Sequence, residues 1–109
     1  MESTVRVGAC QTPEIIGNPL VALDRMLRFA KEAEGKNVDL LLFPECFLTG
    51  YILNETYMAN YAYDFESQQF AAILKQLKQV KPVLVFGVGE KKSGKYFNSA
   101  VVVNRGELV

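Results

Sequence analysis

The chain has 109 residues, half of them hydrophobic, and its twelve acidic side chains balance twelve basic ones. A chain of this length forms at most one domain, and its neutral charge balance excludes a global electrostatic attraction to nucleic acid or to an anionic membrane. Two cysteines and no histidine exclude a disulfide scaffold and a zinc site of the Cys/His type.

The N-terminal segment does not resemble a signal peptide, because position 2 is acidic (Glu2) and no long apolar stretch follows it. No apolar run approaches the ~20 residues that a helix needs to span a bilayer. We therefore expect a soluble, cytoplasmic protein.

The first predicted elements are a strand and an amphipathic helix. Residues 4–10 are β-branched and apolar, which predicts a strand, and a proline-containing loop follows. Asn18 can cap a helix whose first residue is Pro19, and Gly35 is the expected end. One apolar stripe at helical spacing predicts the buried face: Leu20, Leu23, Leu27 and Ala30.

Residues 38–43 (VDLLLF) form a continuous apolar run, which predicts a strand covered on both faces, as in a mostly parallel sheet. Strand, helix and strand at this spacing form a βαβ unit with a right-handed crossover. Ligands of such sheets bind beyond the carboxyl ends of the strands. Glu45 lies two residues past that end, so its position is typical of a site.

The second half of the chain predicts a helix and a hairpin. An irregular, aromatic-rich segment precedes Asp64, which we expect to cap a helix that Pro82 ends. The expected apolar face is Phe70, Ile73, Leu74, Leu77 and Val80. Residues 83–90 and 96–104 then predict two strands of an antiparallel hairpin, in which Gly87 and Gly89 permit close approach of backbone or ligand.

A further strand begins at residues 107–109 and needs a neighbour to satisfy its amides. We therefore expect residues 1–109 to be the N-terminal portion of a single, larger α/β domain.

Glu45 is the candidate catalytic residue, and two interpretations of it stay open. The carboxylate can simply cap backbone amides or pair with a lysine. Alternatively, the neighbouring aromatic residues Phe43, Phe47 and Tyr51 desolvate it, which favours a role as general base near neutral pH. Tyr51 can line a pocket, as can Tyr57, Tyr61 and Tyr63, although core packing is the favoured role for at least half of these four.

Other kinds of site are not supported. Cys46 is adjacent to Glu45, but consecutive side chains of an extended segment point to opposite sides, so we expect a small buried residue and not a nucleophile. Cys10 is expected in the core. Without histidine a Ser/His/Asp triad is impossible, and neither GxGxxG nor P-loop spacing occurs.

Three collinear stretches resemble the nitrilase superfamily of carbon–nitrogen hydrolases: VRVGACQTP, DLLLFPECFLTGY and VFGVGEKKSGKYFNSAVVVNRGELV. The resemblance implies the N-terminal part of an α-β-β-α four-layer sandwich with a mixed sheet. It also implies a Glu–Lys–Cys triad in which Glu45 is the general base, with Tyr51 close to the substrate pocket. The lysine and cysteine positions of the family fall beyond Val109, so the domain is expected to be truncated before them.

The resemblance thus implies hydrolysis of a small non-peptide amide, carbamoyl compound or nitrile, with no metal or organic cofactor and with assembly into a homo-oligomer. Neither nucleic acid nor a membrane is an expected partner. By itself the chain is expected to be inactive, and its substrate cannot be chosen from the sequence. Two alternatives are a non-catalytic binding or assembly module that retains half of the fold, and a flavodoxin-like ligand-binding domain.

Overall fold

The computed structural model describes residues 3–109, so Glu2 lies outside the described residues. Five strands form one mixed sheet in the order β1-β2-β3-β4-β5, with three parallel strands followed by two antiparallel ones. This confirms the predicted α/β class. In chain order, the elements are β1 (Val7–Ala9), α1 (Pro19–Gly35), β2 (Leu40–Leu42), α2 (Glu55–Tyr61), α3 (Gln68–Gln76), β3 (Val83–Lys92), β4 (Lys95–Asn104) and β5 (Glu107–Leu108).

Helix α1 begins as its sequence predicts. The Asn18 side chain accepts a hydrogen bond from the Val21 amide, and Pro19 occupies the first turn, where a missing N–H costs nothing. The helix ends at Gly35, but the left-handed residue after it is Asn37, with φ of 57°. The buried face differs in part from the predicted one, because Leu20 is 71% exposed. The residues that are buried are Ala22, Leu23, Met26, Ala30 and Ala33.

Helices α1 and α3 pack on one face of the sheet and share a single core with it. Leu41 of β2 and its partner Leu84 of β3 are buried in that core. On the opposite face, Leu40 and Leu42 are only half-buried, and Val7 and Val102 are 53% and 36% exposed. The prediction that the second strand is covered on both faces is therefore wrong within residues 3–109, where the helices supply only one layer.

Helix α3 is capped by Ser67 and not by Asp64. The Ser67 hydroxyl accepts a hydrogen bond from the Phe70 amide and donates one to the Asp64 carbonyl. The Asp64 carboxylate instead accepts from the Glu66 amide, which forms a turn before the helix. The helix also ends well before Pro82: the amide of Val80 bonds three residues back to Leu77, so the last part of the segment is a tighter turn.

Strands β3 and β4 form the predicted hairpin, but they are longer than expected. Ser93 and Gly94 both have positive φ, 52° and 75°, which is the geometry of a type I′ turn. That two-residue turn lets Lys92 pair directly with Lys95, so the strands run to the turn on both sides. Gly106 follows Arg105 in a similar turn that leads into β5.

Within residues 3–109 no helix combines the length and the hydropathy that crossing a membrane requires.

Candidate functional site

The loop that follows β2 continues along β3 instead of turning away from the sheet. The Phe43 amide donates to the Val85 carbonyl at 2.9 Å, and the Gly87 amide donates to the Pro44 carbonyl at 3.3 Å. The Leu48 amide then donates to the Gly87 carbonyl at 3.0 Å. Residues 44–51, here called the glutamate loop, are thereby tied through their backbone to the centre of the sheet.

Gly87 is the residue that permits this close approach. A Cβ atom at position 87 would lie 2.1 Å from the Cys46 nitrogen and 2.8 Å from the Glu45 Cα, distances that no real Cβ contact reaches. The predicted role of Gly87 in close backbone approach is therefore confirmed. At the same point Cys46 adopts a left-handed φ of 55°, which is unusual for a residue with a side chain.

Hydrogen bonds through Thr49 hold the far end of the glutamate loop. The Thr49 hydroxyl accepts a hydrogen bond from the Gly89 amide at 2.8 Å. The Tyr57 hydroxyl donates to the Thr49 carbonyl and accepts from the Gly17 amide, the latter at 2.7 Å. Tyr57 therefore joins the glutamate loop to the loop that follows β1, and it acts as a structural residue.

Glu45 projects from this fixed backbone into solvent. It lines a cleft of about 430 Å³ together with residues 12–15, 44, 46, 47 and 51, and it also lines a second depression of about 300 Å³ beside Asn98. The side chain is exposed. The expected desolvation by aromatic neighbours is not found within residues 3–109, since the Glu45 side chain is exposed even though Phe47 lines the same cleft. Phe43 and Phe47 are themselves buried, with ring centroids 4.9 Å apart.

Tyr51 shares the larger cleft with Glu45. The pKa of the Tyr51 phenol is raised, first by its hydrogen bond with the Glu45 carboxylate and then by the charge of that carboxylate. The Tyr51 backbone is held separately, because its amide donates to Glu14 Oε1 at 2.7 Å. The other tyrosines considered as pocket residues do not line this cleft: the rings of Tyr57 and Tyr61 contact each other at a tilt, and Tyr63 packs against Phe70.

Cys46 is buried, and its thiol donates to Asn98 Oδ1 at 3.2 Å. Burial raises the pKa of the thiol, and the charges of Glu45 and Glu14 raise it further. A thiol in that environment stays protonated, whereas a nucleophilic cysteine needs a stabilised thiolate. Cys10 is half-buried, and burial followed by the charge of Glu32 raises its pKa as well.

Glu14 and Asn98 were not among the predicted site residues. Each contacts the glutamate loop from a distant part of the chain: Glu14 lies 37 positions from Tyr51, and Asn98 lies 52 positions from Cys46. Asn98 belongs to a stretch that resembles the family, but no local pattern assigned it a partner. Within residues 3–109 no group of three or more His, Cys, Asp or Glu residues could hold a metal ion.

Comparison with protein families gives a match of residues 6–109 to the carbon–nitrogen hydrolase model. Among curated proteins, a glutamine-dependent NAD(+) synthetase of Mycobacterium leprae is 28% identical over 105 residues, which are 96% of this chain and 15% of that protein. A nitrilase of Meyerozyma guilliermondii is 26% identical over 121 residues, covering all of this chain and 38% of that protein. The chain thus spans far less than half the length of these relatives.

Solved structures share the fold. The CN-hydrolase superfamily protein XC1258 of Xanthomonas campestris matches with a TM-score of 0.76 at 19% identity, over 96% of this chain and 38% of that one. A glutamine-dependent NAD+ synthetase of Acinetobacter baumannii matches with a TM-score of 0.69 at 28% identity, over 86% of this chain and 18% of that one. The nitrilase-like α/β fold that the sequence resemblance implied is thereby confirmed.

Proposed function

Because the chain belongs to the carbon–nitrogen hydrolase family, we propose that Glu45 is a general base in the hydrolysis of a small non-peptide amide, carbamoyl compound or nitrile. The observation that carries this proposal is the setting of its carboxylate. The backbone on either side of Glu45 is fixed to the sheet, while the side chain is free to face a cleft. A fixed backbone and an accessible carboxylate are what a positioned general base requires.

In the proposed reaction, the carboxylate of Glu45 takes the proton of a cysteine thiol, and the thiolate attacks the carbon of the substrate. A lysine stabilises the charge that develops on the substrate. With an amide or carbamoyl substrate, the amine leaves with the proton that Glu45 took, and an acyl-enzyme remains. With a nitrile, that proton goes to the nitrile nitrogen and gives a thioimidate, which adds water and loses ammonia. Water then hydrolyses the acyl-enzyme to the acid and returns the cysteine thiol. The attacking thiol is neither Cys46 nor Cys10, because Cys46 is buried, Cys10 is half-buried, and burial raises the pKa of both thiols.

The chain alone is therefore expected to turn over neither amides nor nitriles, and hydrolysis by the 109-residue chain would contradict the proposal if Cys46→Ser abolished it. The first experiment is to isolate the natural protein with an antibody against these residues and to measure its mass. A mass well above 12.2 kDa makes the complete protein the one to assay.

The decisive comparison is then Glu45→Gln against wild type in that complete protein. Loss of a general base typically lowers the rate by about 10²–10⁴-fold, and the far-UV circular dichroism should not change. Glu66→Gln is the matched control, since Glu66 is also an exposed glutamate and does not line the cleft. Equal rates for Glu45→Gln and Glu66→Gln would overturn the proposal.

The first substrate to test is the side-chain amide of glutamine, since several relatives of the chain are named as glutamine-dependent synthetases. Simple aliphatic amides, N-carbamoyl compounds and nitriles complete the panel.

One observation favours the alternative of a non-catalytic assembly module. The sheet face opposite the helices presents apolar residues, with Val7 and Val102 exposed. A module of that kind would be an obligate oligomer that buries a large apolar interface. Sedimentation of the chain as a folded monomer at micromolar concentration would exclude it.

A further inference from the structure

We propose that Asn98 is a positioning residue for Glu45 and acts through Cys46: its side-chain oxygen holds the Cys46 thiol and thereby keeps the backbone next to Glu45 in a left-handed conformation. The inference deepens the proposed function and rests on the assignment of Glu45 as the general base. Asn98 is bonded to Cys46, and no contact with the substrate is assigned to it.

Asn98 lies on the sheet face that the glutamate loop covers. It pairs with Gly89 of β3, and because side chains alternate along a strand, both residues share a face with Gly87. A Cβ atom at position 87 would meet the backbone of residues 45 and 46, and one at position 89 would lie 3.2 Å from the Thr49 hydroxyl. The two glycines leave room for the loop, and Asn98 borders it.

The contact between Asn98 and the loop is a direct hydrogen bond. The Cys46 thiol donates to Asn98 Oδ1 with a sulfur–oxygen distance of 3.2 Å, although 52 positions separate the two residues. Asn98 and Glu45 also line the same depression of about 300 Å³. The bond therefore reaches the residue directly after Glu45, beside a space that Glu45 lines.

The backbone at Cys46 needs such a contact because its conformation is unfavourable. With φ of 55°, its Cβ lies close to the following carbonyl oxygen, and a residue other than glycine keeps this conformation only where its surroundings enforce it. Within residues 3–109, the peptide group between Glu45 and Cys46 forms no backbone hydrogen bond through its carbonyl or its amide. Backbone bonding therefore does not set the orientation of that peptide group.

The thiol bond supplies the missing restraint. The Cys46 carbonyl accepts the Gly50 amide hydrogen at 2.8 Å, and the Pro44 carbonyl accepts the Gly87 amide hydrogen at 3.3 Å. When the Cys46 side chain is also held by Asn98, the orientation of its Cα is fixed on two sides. The peptide group between Glu45 and Cys46 then has fixed neighbours at both ends, which fixes the direction of the Glu45 side chain.

A role confined to strand β4 explains Asn98 less well. Asparagine is depleted in strands, whereas Tyr96, Phe97 and residues 101–103 of the same strand are of types that strands favour. The Asn98 side chain is also exposed, so it adds little to the core. Local preferences are thus broken at both ends of one hydrogen bond, at Asn98 and at Cys46, and such breaks are expected at functional sites.

The first test is NMR spectroscopy of the 109-residue chain. The nuclear Overhauser effect (NOE) between the amide and α hydrogens of one residue is stronger at positive φ than at negative φ. Residue 46 should show a strong effect in wild type and a weaker one in Asn98→Ala. Asn104→Ala is the matched control and should match wild type, because Asn104 is exposed on the same face of β4 and lines neither cavity.

An NOE at residue 46 that is as strong in Asn98→Ala as in wild type would overturn the proposal. Thermal unfolding verifies that each variant is folded. If Asn98→Ala does not fold, Cys46→Ala removes the same hydrogen bond from its other end and should weaken the NOE in the same way.

The second test measures hydrolysis by the complete protein. A displacement of about 1 Å can lower a rate by about 10²-fold, so kcat of Asn98→Ala should fall by up to about that factor. KM should stay unchanged, since only the direction of Glu45 is altered. Asn104→Ala should change neither value.

Glycine at position 46 separates positioning from direct contact with the substrate. Because glycine takes the left-handed conformation without strain, Cys46→Gly should keep a higher kcat than Cys46→Ala. In the Cys46→Gly background, Asn98→Ala should have no further effect. The proposal is wrong if Cys46→Ala is as active as Cys46→Gly, or if Asn98→Ala lowers kcat equally in both backgrounds, because Asn98 would then act without Cys46.

These outcomes are distinct from failure of the proposed function. If Glu45 were not the base, Glu45→Gln would keep its activity in the complete protein, while the NOE results would stand. If Glu45 is the base and Asn98 does not position it, Glu45→Gln loses activity and Asn98→Ala keeps it.

Discussion

Substitution of Gly87 by alanine tests whether the glutamate loop is held by close approach to β3. The added methyl group would lie 2.1 Å from the Cys46 nitrogen, while ordinary contact begins at 3.4 Å. Strand and loop must therefore separate by more than an ångström at this point. The neighbouring atoms belong to the backbone of residues 45 and 46, so no side chain can rotate away to relieve the contact.

The expected cost follows from two opposing effects. Forcing an extra methyl group into a packed site costs about 1–3 kcal/mol, and rigid backbone neighbours place this case toward the upper end. Replacing a strand glycine returns only about 0.5–1 kcal/mol of backbone entropy. Steric overlap therefore wins, and the free energy of unfolding should fall by about 2 kcal/mol. With an m value of about 2 kcal/mol/M, the urea midpoint should fall by about 1 M.

Urea denaturation followed by far-UV circular dichroism measures this loss, and Gly35→Ala is the matched control. Position 35 ends α1, and no atom lies within 4 Å of the place that an added methyl group would occupy, so alanine should be neutral there or stabilising by up to about 1 kcal/mol. In Gly87→Ala the buried Cys46 thiol should also react faster with a thiol reagent. A urea midpoint for Gly87→Ala that equals that of wild type would refute the prediction of close approach.

Three further changes probe other parts of the structure. Tyr57→Phe leaves the Gly17 amide and the Thr49 carbonyl without their hydrogen-bond partner, so the free energy of unfolding should fall by about 1–3 kcal/mol. An unchanged midpoint in urea denaturation would show that this bridge does not contribute to stability. Ser67→Ala removes the cap of α3 and should lower the free energy of unfolding by about 1 kcal/mol, which is more than Asp64→Asn should. A larger loss in Asp64→Asn would show that Asp64 is the capping residue. Burial raises the pKa of Cys46 and of Tyr63, so their contribution to stability is fully present below the ordinary values of 9.0 and 10.0 and is lost as pH rises through the folded values. The melting temperature should therefore begin to fall as the pH rises above about 9, and Cys46→Ala should reduce that fall.

The elements that the sequence predicted correctly are those with local causes. Asn18 and Pro19 start α1 through contacts within one turn, and the Ser93–Gly94 turn determines the hairpin by its own backbone conformation. The cap of α3 was misplaced because Asp64 and Ser67 are both good capping residues three positions apart. Only the hydrogen bonds of the folded chain assign one to the helix and the other to the preceding turn.

The position of Glu45 beyond β2 was predictable, but its surroundings were not. Its carboxylate is exposed although Phe47 lines the same cleft, and its backbone geometry depends on a glycine 42 positions away. A left-handed conformation at Cys46 carries no sequence signal, since glycine or asparagine would ordinarily be expected there. These are tertiary effects, and a pattern read along the chain cannot contain them.

The structure also separates the residues that hold the site from the residue that faces the cleft. Gly87, Thr49 and Tyr57 fix the glutamate loop through buried or close backbone contacts, so their substitution should be costly to stability. The Glu45 side chain is exposed and lines the cleft. Glu45→Gln should therefore change stability by no more than about 0.5 kcal/mol, as surface substitutions usually do. A capping or pairing role for the carboxylate would instead make Glu45→Gln clearly destabilising, so this one measurement separates that role from the proposed role in the cleft.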